Sequence, residues 1–79
     1  MTNLPDKITE EDIEEKSFGF GFCREYPRGY SVARGMIGEE EYQVILPDVE
    51  GISREKVIDI HLMTFNRKLE ELKNDPSTD

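Results

Sequence analysis

The chain has 79 residues, of which 18 are acidic and 10 basic, and its formal net charge at pH 7 is −8. A chain of this length makes one small domain, and its single cysteine excludes an internal disulfide. No apolar run reaches the about 18 residues of a membrane helix, and no charged and apolar leader follows Met1. We therefore expect one cytoplasmic domain over residues 1–79, with flexible ends at 1–7 and 75–79.

The N-terminal part of the chain predicts a short helix. Thr9 is a typical N-cap residue, and the acidic residues 10–12 that follow it suit the positive end of a helix dipole. Ile8 and Ile13 occupy the two positions of a hydrophobic staple. These signals together predict a helix from Glu10 to about Lys16.

Three segments with strand-like patterns follow. In the first of them, aromatic residues occupy every second position from Phe18, which is the period of a strand. Pro27 to Gly29 and Gly38 with the acidic run 39–41 predict the two turns, and Pro47 ends the last strand because proline has no amide donor. The predicted strands are Ser17 to Glu25, Tyr30 to Ile37 and Tyr42 to Leu46. Their short connections predict an antiparallel meander.

The C-terminal third of the chain predicts one long helix. From Ile58 onward the apolar residues fall three and four positions apart. Ser53 is a good N-cap, and Pro76 predicts that the helix ends near Asn74.

These elements predict an α+β fold of order α-β-β-β-α, in which one face of a three-stranded antiparallel sheet packs on the long C-terminal helix. The sheet residues expected to face the helix are Phe18, Phe20, Phe22, Tyr30, Val32, Met36, Tyr42, Val44 and Leu46. The helix residues expected to face the sheet are Ile58, Leu62, Phe65, Leu69 and Leu72.

The other sheet face is expected to carry mostly small residues, which are Gly19, Gly21, Cys23, Ser31, Ala33 and Gly35, together with Gln43 and Ile45. Small residues let another backbone or a flat surface come close. This face is therefore a candidate contact surface for a partner or a second subunit. The alternative is that the glycines serve twist or bulges in the first strand.

Charge is unevenly distributed along the chain. Residues 1–15 and 39–59 each carry a net charge of −5, whereas residues 16–38 carry +3. A basic, aromatic hairpin therefore lies between two acidic segments. Either these segments neutralise one another within the fold and keep the protein soluble, or the acidic surface meets a basic site on another protein.

The sequence indicates two candidate partner contacts. The acidic one comprises Glu11, Glu14, Glu15, Glu39, Glu40 and Glu41. The apolar one is the helix end at Leu69 and Leu72, whose heptad-like spacing fits a second copy or a partner groove. Core packing on the sheet is the alternative for these leucines.

Residues 16–22, Lys-Ser-Phe-Gly-Phe-Gly-Phe, resemble the ribonucleoprotein motif of RNA-recognition and cold-shock domains, which reads basic-Gly-aromatic-Gly-aromatic. Ser17 stands where that motif has a glycine. The resemblance implies that the aromatic rings stack on exposed bases. The nucleic-acid contacts would then include Arg24, Arg28, Arg34 and Tyr26.

The predicted element order is also that of double-stranded RNA-binding domains. Those domains carry a lysine cluster at the start of the last helix, where this chain reads Ser-Arg-Glu-Lys over residues 53–56. This is a likeness of fold order and does not imply the function.

The sequence offers little for catalysis. Its one histidine, His61, is expected at the edge of the core, and its one cysteine is Cys23. The chain shows no zinc-ligand spacing, no calcium loop and no phosphate-binding loop, so we expect neither metal nor cofactor.

We therefore expect a small acidic protein without enzymatic activity that binds another protein as an inhibitor, adaptor or accessory factor, of the kind that phages and mobile elements encode. Two alternatives stay open, which are a single-stranded nucleic-acid binder that uses the Phe18 to Arg34 hairpin and a structural homodimer. The preference for a protein partner depends on the phenylalanines pointing toward the helix.

Overall fold

The structure is a computed structural model that describes residues 4–21 and 23–74. Its elements are a 3-10 turn (Glu10–Asp12), strands β1 (Ile13–Phe18), β2 (Tyr30–Ile37) and β3 (Glu40–Pro47), and helix α1 (Arg54–Lys73). The strands form an antiparallel sheet in the order β1-β2-β3. This arrangement confirms the predicted α+β fold. No helix formed by these described residues is long and apolar enough to span a membrane.

The first strand lies earlier in the chain than predicted. The N-terminal helix stops after the 3-10 turn, and Ile13 already pairs with Gly35 of β2. One helical turn is marginal on its own, whereas pairing with β2 gives backbone partners to a six-residue strand. The prediction of a helix from Glu10 to Lys16 is therefore wrong beyond Asp12.

Most of the segment predicted as the first strand is a loop. β1 ends at Phe18, and the described residues of the loop are tied by backbone hydrogen bonds. Gly21 donates to the Pro27 carbonyl at 2.9 Å and Gly29 donates to the Tyr26 carbonyl at 2.9 Å. Gly29 has a φ of 85°, and a Cβ there would lie 2.7 Å from the Phe18 carbonyl oxygen. Only glycine fits this position without displacing the end of β1.

The second and third strands agree closely with the sequence prediction. β2 has the predicted bounds, and β3 extends the predicted strand at both ends. Ile37 pairs with Glu40, so the turn between them consists of Gly38 and Glu39 alone. Gly38 has a φ of 67°, which suits a two-residue hairpin turn.

Helix α1 begins and ends close to the predicted positions. The Ser53 hydroxyl accepts a hydrogen bond from the Lys56 amide at 3.2 Å, which is the expected N-cap contact. Its fully or largely buried residues are Val57, Ile58, His61, Phe65 and Leu69. These side chains cover one face of the sheet.

The helix covers the face of β2 that was predicted to contact a partner. Ser31, Ala33, Gly35 and Ile37 are the buried residues of β2. Small side chains let α1 come close, since a Cβ on Gly35 would already lie 3.4 Å from a ring carbon of Phe65. The prediction that the opposite set on β2 (Tyr30, Val32 and Met36) points toward the helix is wrong for this reason.

The core lies between this sheet face and α1. Its buried cluster consists of Ile8, Ile13, Ala33, Ile37, Phe65 and Leu69. Partly buried hydrophobic residues that pack against it are Leu4, Tyr42, Val44, Leu62 and Leu72. Residues from before β1, from all three strands and from α1 therefore share one core. Burial of each large side chain contributes about 1.5 to 3 kcal/mol before entropy is counted.

Candidate functional site

The sheet face that α1 leaves uncovered is called the open face here. Its residues are Glu14, Lys16 and Phe18 on β1, Tyr30, Val32, Arg34 and Met36 on β2, and Glu41, Gln43 and Ile45 on β3. They alternate with the residues that face the helix, as side chains of a strand must. Met36 and Ile45 are 50% and 44% exposed. The open face therefore presents apolar side chains to the surroundings.

A small aromatic cluster occupies one end of the open face. The rings of Phe18 and Tyr30 stack with centroids 4.8 Å apart, and Tyr26 lies 5.1 Å from Tyr30. The Lys16 ammonium lies 5.9 Å from the centre of the Phe18 ring. All three aromatic residues are half-buried, and Phe18 and Tyr26 both contact Tyr30.

The aromatic residues are therefore not placed as the sequence predicted. Phe18 lies on the open face and not against α1, and Phe20 is 72% exposed in the loop after β1. Phe22 lies outside the described residues. The helix side of the sheet is filled by the close approach of α1 to Ala33 and Gly35, which leaves no room there for further large rings. The preference against nucleic acid depended on the phenylalanines pointing toward the helix, and this expectation is wrong for Phe18 and Phe20.

The predicted nucleic-acid contacts are divided between two places. Tyr26, Arg24 and Arg28 belong to the loop at the aromatic end, and both arginines are exposed. Arg34 lies four residues further along β2 and forms ion pairs with Glu14 at 3.4 Å and Glu41 at 3.7 Å. The structure therefore does not bring these four residues into one basic patch.

The two acidic runs of the sequence meet at the end of the sheet opposite to the aromatic cluster. This acidic end consists of Glu10, Glu11, Asp12, Glu39, Glu40 and Glu41. The 3-10 turn leads into Ile13 beside Gly35, and the β2–β3 turn follows Ile37 on the same strand. Only β2 separates the two runs, so their backbones are roughly 10 Å apart. All six side chains belong to exposed residues.

Not all predicted partner contacts are accessible. Glu11, Glu14, Glu39, Glu40 and Glu41 are exposed, as a contact surface requires. The side chain of Glu15 is only 6% exposed because it points toward the helix side of the sheet. Leu69 is 1% exposed and belongs to the core, and Leu72 packs against the same core. Glu15 and Leu69 are therefore corrected from surface contacts to internal residues.

A polar network that the sequence analysis did not predict links the sheet to α1. The Ser31 hydroxyl lies 2.9 Å from both a Glu15 carboxylate oxygen and the Nε2 atom of His61. Because the hydroxyl donates its one proton to Glu15, it accepts from Nε2–H, and the His61 Nδ1 carries the lone pair. Ser17 also donates to Glu15, and the Arg54 guanidinium lies 3.4 Å from its second oxygen. Ser31 and His61 are both completely buried.

Burial and hydrogen bonding shift two pKa values in this network. Burial lowers the pKa of His61, although the nearby charge of Glu15 acts in the opposite direction. Burial raises the pKa of Glu15, but hydrogen bonds from Ser17, Ser31 and Arg54 and the Arg54 charge outweigh it, and the net pKa is lowered. The network therefore holds a neutral imidazole and an ionised carboxylate.

The geometry of this network does not suit nucleophilic catalysis. In a catalytic triad the carboxylate orients the imidazole, whereas here Glu15 contacts the serine. The Ser31 hydroxyl is also enclosed, so no substrate reaches it. Cys23 lies in the loop between β1 and β2, half-buried. Among residues 4–21 and 23–74, no group of three or more His, Cys, Asp or Glu side chains could hold a metal ion.

Comparison of the chain with protein-family profiles, with curated proteins and with solved structures gave no match.

Proposed function

We propose that this protein has no enzymatic activity and binds another protein in the cytoplasm, as an inhibitor, adaptor or accessory factor, through its acidic end. Because Phe18 and Phe20 do not point toward the helix, the preference for a protein partner no longer depends on them. It depends instead on the meeting of two acidic runs that lie far apart in the sequence. The first run ends where β1 begins, and the second consists of the turn residue Glu39 and the first two residues of β3. The sheet itself therefore positions both runs. The partner surface would be basic.

Charge repulsion gives a physical reason for such a partner. The two runs lie within about one Debye length of each other at physiological ionic strength, so their carboxylates repel one another. A basic partner would remove this repulsion and add attraction across the interface. Matched charge of this kind raises the association rate and excludes wrong partners more than it adds affinity.

The test is affinity capture from the native host, with mass-spectrometric identification, followed by charge reversal in both runs. Glu11→Lys, Glu39→Lys and Glu40→Lys, combined in one variant, should strongly reduce capture of the main partner, and reversal in either run alone should reduce it partly. Higher salt should weaken capture by wild type in parallel.

A matched control changes the net charge equally at another place. Glu25, Asp48 and Glu50 are exposed and lie in the loops at the aromatic end of the sheet, opposite to the acidic end. Their combined replacement by lysine should leave capture of that partner unchanged. Equal loss in both variants would attribute capture to total charge, and unchanged capture in the acidic-end variant would refute the proposal.

A second candidate function, binding of single-stranded nucleic acid, is favoured by one specific observation. Phe20 is 72% exposed in a loop that also carries Arg24 and Arg28, beside Lys16 and the Phe18–Tyr30 stack. An open aromatic ring with nearby cations is a suitable stacking site for a base. Binding here would use the end of the sheet opposite to the acidic end.

Fluorescence anisotropy of a labelled oligo-dT tests this candidate at about 50 mM and about 200 mM salt. Binding that weakens with salt and is lost in Phe20→Ala would support it. Met63→Ala is the matched control, because Met63 is also a large apolar residue and is 60% exposed on α1. No change in anisotropy at the lower salt concentration would eliminate nucleic acid as a ligand.

A further inference from the structure

The open face holds balanced charge although the chain as a whole is strongly acidic. Its central rows, read across the sheet, are Lys16–Val32–Ile45 and Glu14–Arg34–Gln43. Met36 and Glu41 form the row next to the acidic end, and Phe18 with Tyr30 forms the row at the aromatic end. The face therefore carries Lys16 and Arg34 against Glu14 and Glu41. A second copy of the chain would not be repelled there.

The order of the charged residues on β1 and of the two end residues of β2, Tyr30 and Met36, is self-complementary. A second sheet can be laid face to face on the first by a two-fold axis that lies between the two sheets and parallel to both. The axis runs perpendicular to the strands and midway between the two central rows. Each strand then lies over its own copy with its direction reversed. Lys16 of each copy lies over Glu14 of the other, and Tyr30 of each copy lies over Met36 of the other. Opposite charges and aromatic–sulfur contacts thus occur twice, as an isologous interface requires.

We propose that the open face binds a second copy of this chain in this two-fold, face-to-face arrangement. It buries the exposed apolar side chains of Met36 and Ile45 and keeps α1 on the outside of both sheets. Glu41 belongs to both the open face and the acidic end, but this inference does not depend on the proposed function, since Glu11, Glu39 and Glu40 lie at the end of the sheet and not on the open face.

The size of the face predicts the strength of this dimer. Three strands of eight residues or fewer cover about 370 Å² in projection. This is well below the about 800 Å² per partner of a standard interface. We therefore expect a weak dimer that dissociates in the micromolar range.

Sedimentation velocity over about 1 μM to about 500 μM protein tests the proposal. The mass should rise from 9.2 kDa toward twice that value with concentration. Ile45→Glu should keep the protein monomeric throughout, whereas Met63→Glu, an equal charge change on the exposed side of α1, should leave the dimer unchanged. Far-ultraviolet circular dichroism verifies that both variants are folded.

A charge swap tests the two-fold geometry itself. Lys16→Glu or Glu14→Lys alone should raise the dissociation constant by about tenfold, because symmetry doubles each unfavourable contact. The double variant should bind itself more tightly than Glu14→Lys alone, although both variants lose the ion pair of Glu14 with Arg34 within the chain. A double variant that dissociates as readily as Glu14→Lys alone would refute the arrangement.

Two other outcomes would also overturn the proposal. A constant mass of 9.2 kDa at every concentration would exclude a second copy as the occupant. A monomer that binds oligo-dT and loses that binding in Ile45→Glu would assign the open face to nucleic acid.

Discussion

The side chain of Asn66 on α1 hydrogen-bonds both backbone polar groups of Ile8. Its Oδ1 atom accepts from the Ile8 amide at 2.8 Å, and its Nδ2 atom donates to the Ile8 carbonyl at 3.0 Å. Ile8 itself is 1% exposed. One helix residue thus gives the segment before the 3-10 turn the two backbone contacts that a neighbouring strand would otherwise supply.

Asn66→Ala should therefore destabilise the fold by about 1 to 3 kcal/mol, because it leaves two buried backbone groups without partners. Urea unfolding followed by circular dichroism measures this change. Thr64→Ala is the matched control, since the Thr64 hydroxyl donates only to a carbonyl of its own helix in an exposed position. It should change stability by less than about 0.5 kcal/mol. Equal effects of the two substitutions would contradict the role assigned to Asn66.

Gly35→Ala should destabilise the protein by about 1 to 3 kcal/mol through overpacking. An added Cβ would lie 2.8 Å from the Asp12 carbonyl oxygen and 2.9 Å from a methyl carbon of Ile13. Gly19→Ala is the control, because a Cβ at Gly19 meets nothing within 4 Å. The urea midpoint should fall for the first variant and stay near wild type for the second. A wild-type midpoint in Gly35→Ala would mean that β1 does not approach β2 as closely as described.

Leu69→Ala should cost about 2 to 5 kcal/mol of stability, since Leu69 is 1% exposed in the core. Met63→Ala on the exposed side of the same helix should have little effect. Denaturant unfolding at a protein concentration below dimer formation separates core packing from association. A change of less than about 0.5 kcal/mol for Leu69→Ala would return this residue to the surface role that its heptad spacing first indicated.

Stability should fall on acidification in two stages. Burial lowers the pKa of His61 from its ordinary value of 6.5, so the full contribution of neutral His61 to the free energy of unfolding is present above pH 6.5. Below that pH the imidazole binds a proton more readily in the unfolded chain than in the folded protein, so the free energy of unfolding decreases. The pKa of Glu15 is lowered from 4.5, so a second loss begins below that pH.

Urea unfolding at about pH 7.5 and about pH 5.5 isolates the first stage, because His61 is the single histidine of the chain. Wild type should be less stable at the lower pH. His61→Gln keeps a donor toward Ser31 but does not titrate, so its midpoint should change less between the two conditions. A pH dependence that His61→Gln retains in full would assign the effect to other groups.

Local signals were sufficient where a segment has one clear pattern. The bounds of β2 and the N-cap of α1 at Ser53 agree with the prediction because alternation, turn glycines and capping act within a few residues. β1 was misplaced because its sequence, Ile-Glu-Glu-Lys-Ser-Phe, has little alternation of its own. The Phe-Gly repeat that follows has the period of a strand but finds no partner strand among the described residues.

The sequence indicated acidic residues that the structure leaves exposed, except Glu15, but it did not indicate their arrangement. Glu39, Glu40 and Glu41 were identified from their charge alone, and they are exposed. That Glu10 and Glu11 lie beside them follows only from the pairing of Ile13 with Gly35. The same pairing directs Glu15 toward Ser31 and His61, which no local pattern indicated.

The amino-acid sequence by itself determined the number and kind of the principal elements, since turn residues, caps and hydrophobic period are local properties. Only the tertiary structure decided which face of β2 meets the helix. Both faces carry residues that a core accepts, and the choice depends on how closely α1 can approach. Ala33 and Gly35 permit a contact with Phe65 that Tyr30 and Val32 would prevent, so the larger side chains remain on the open face.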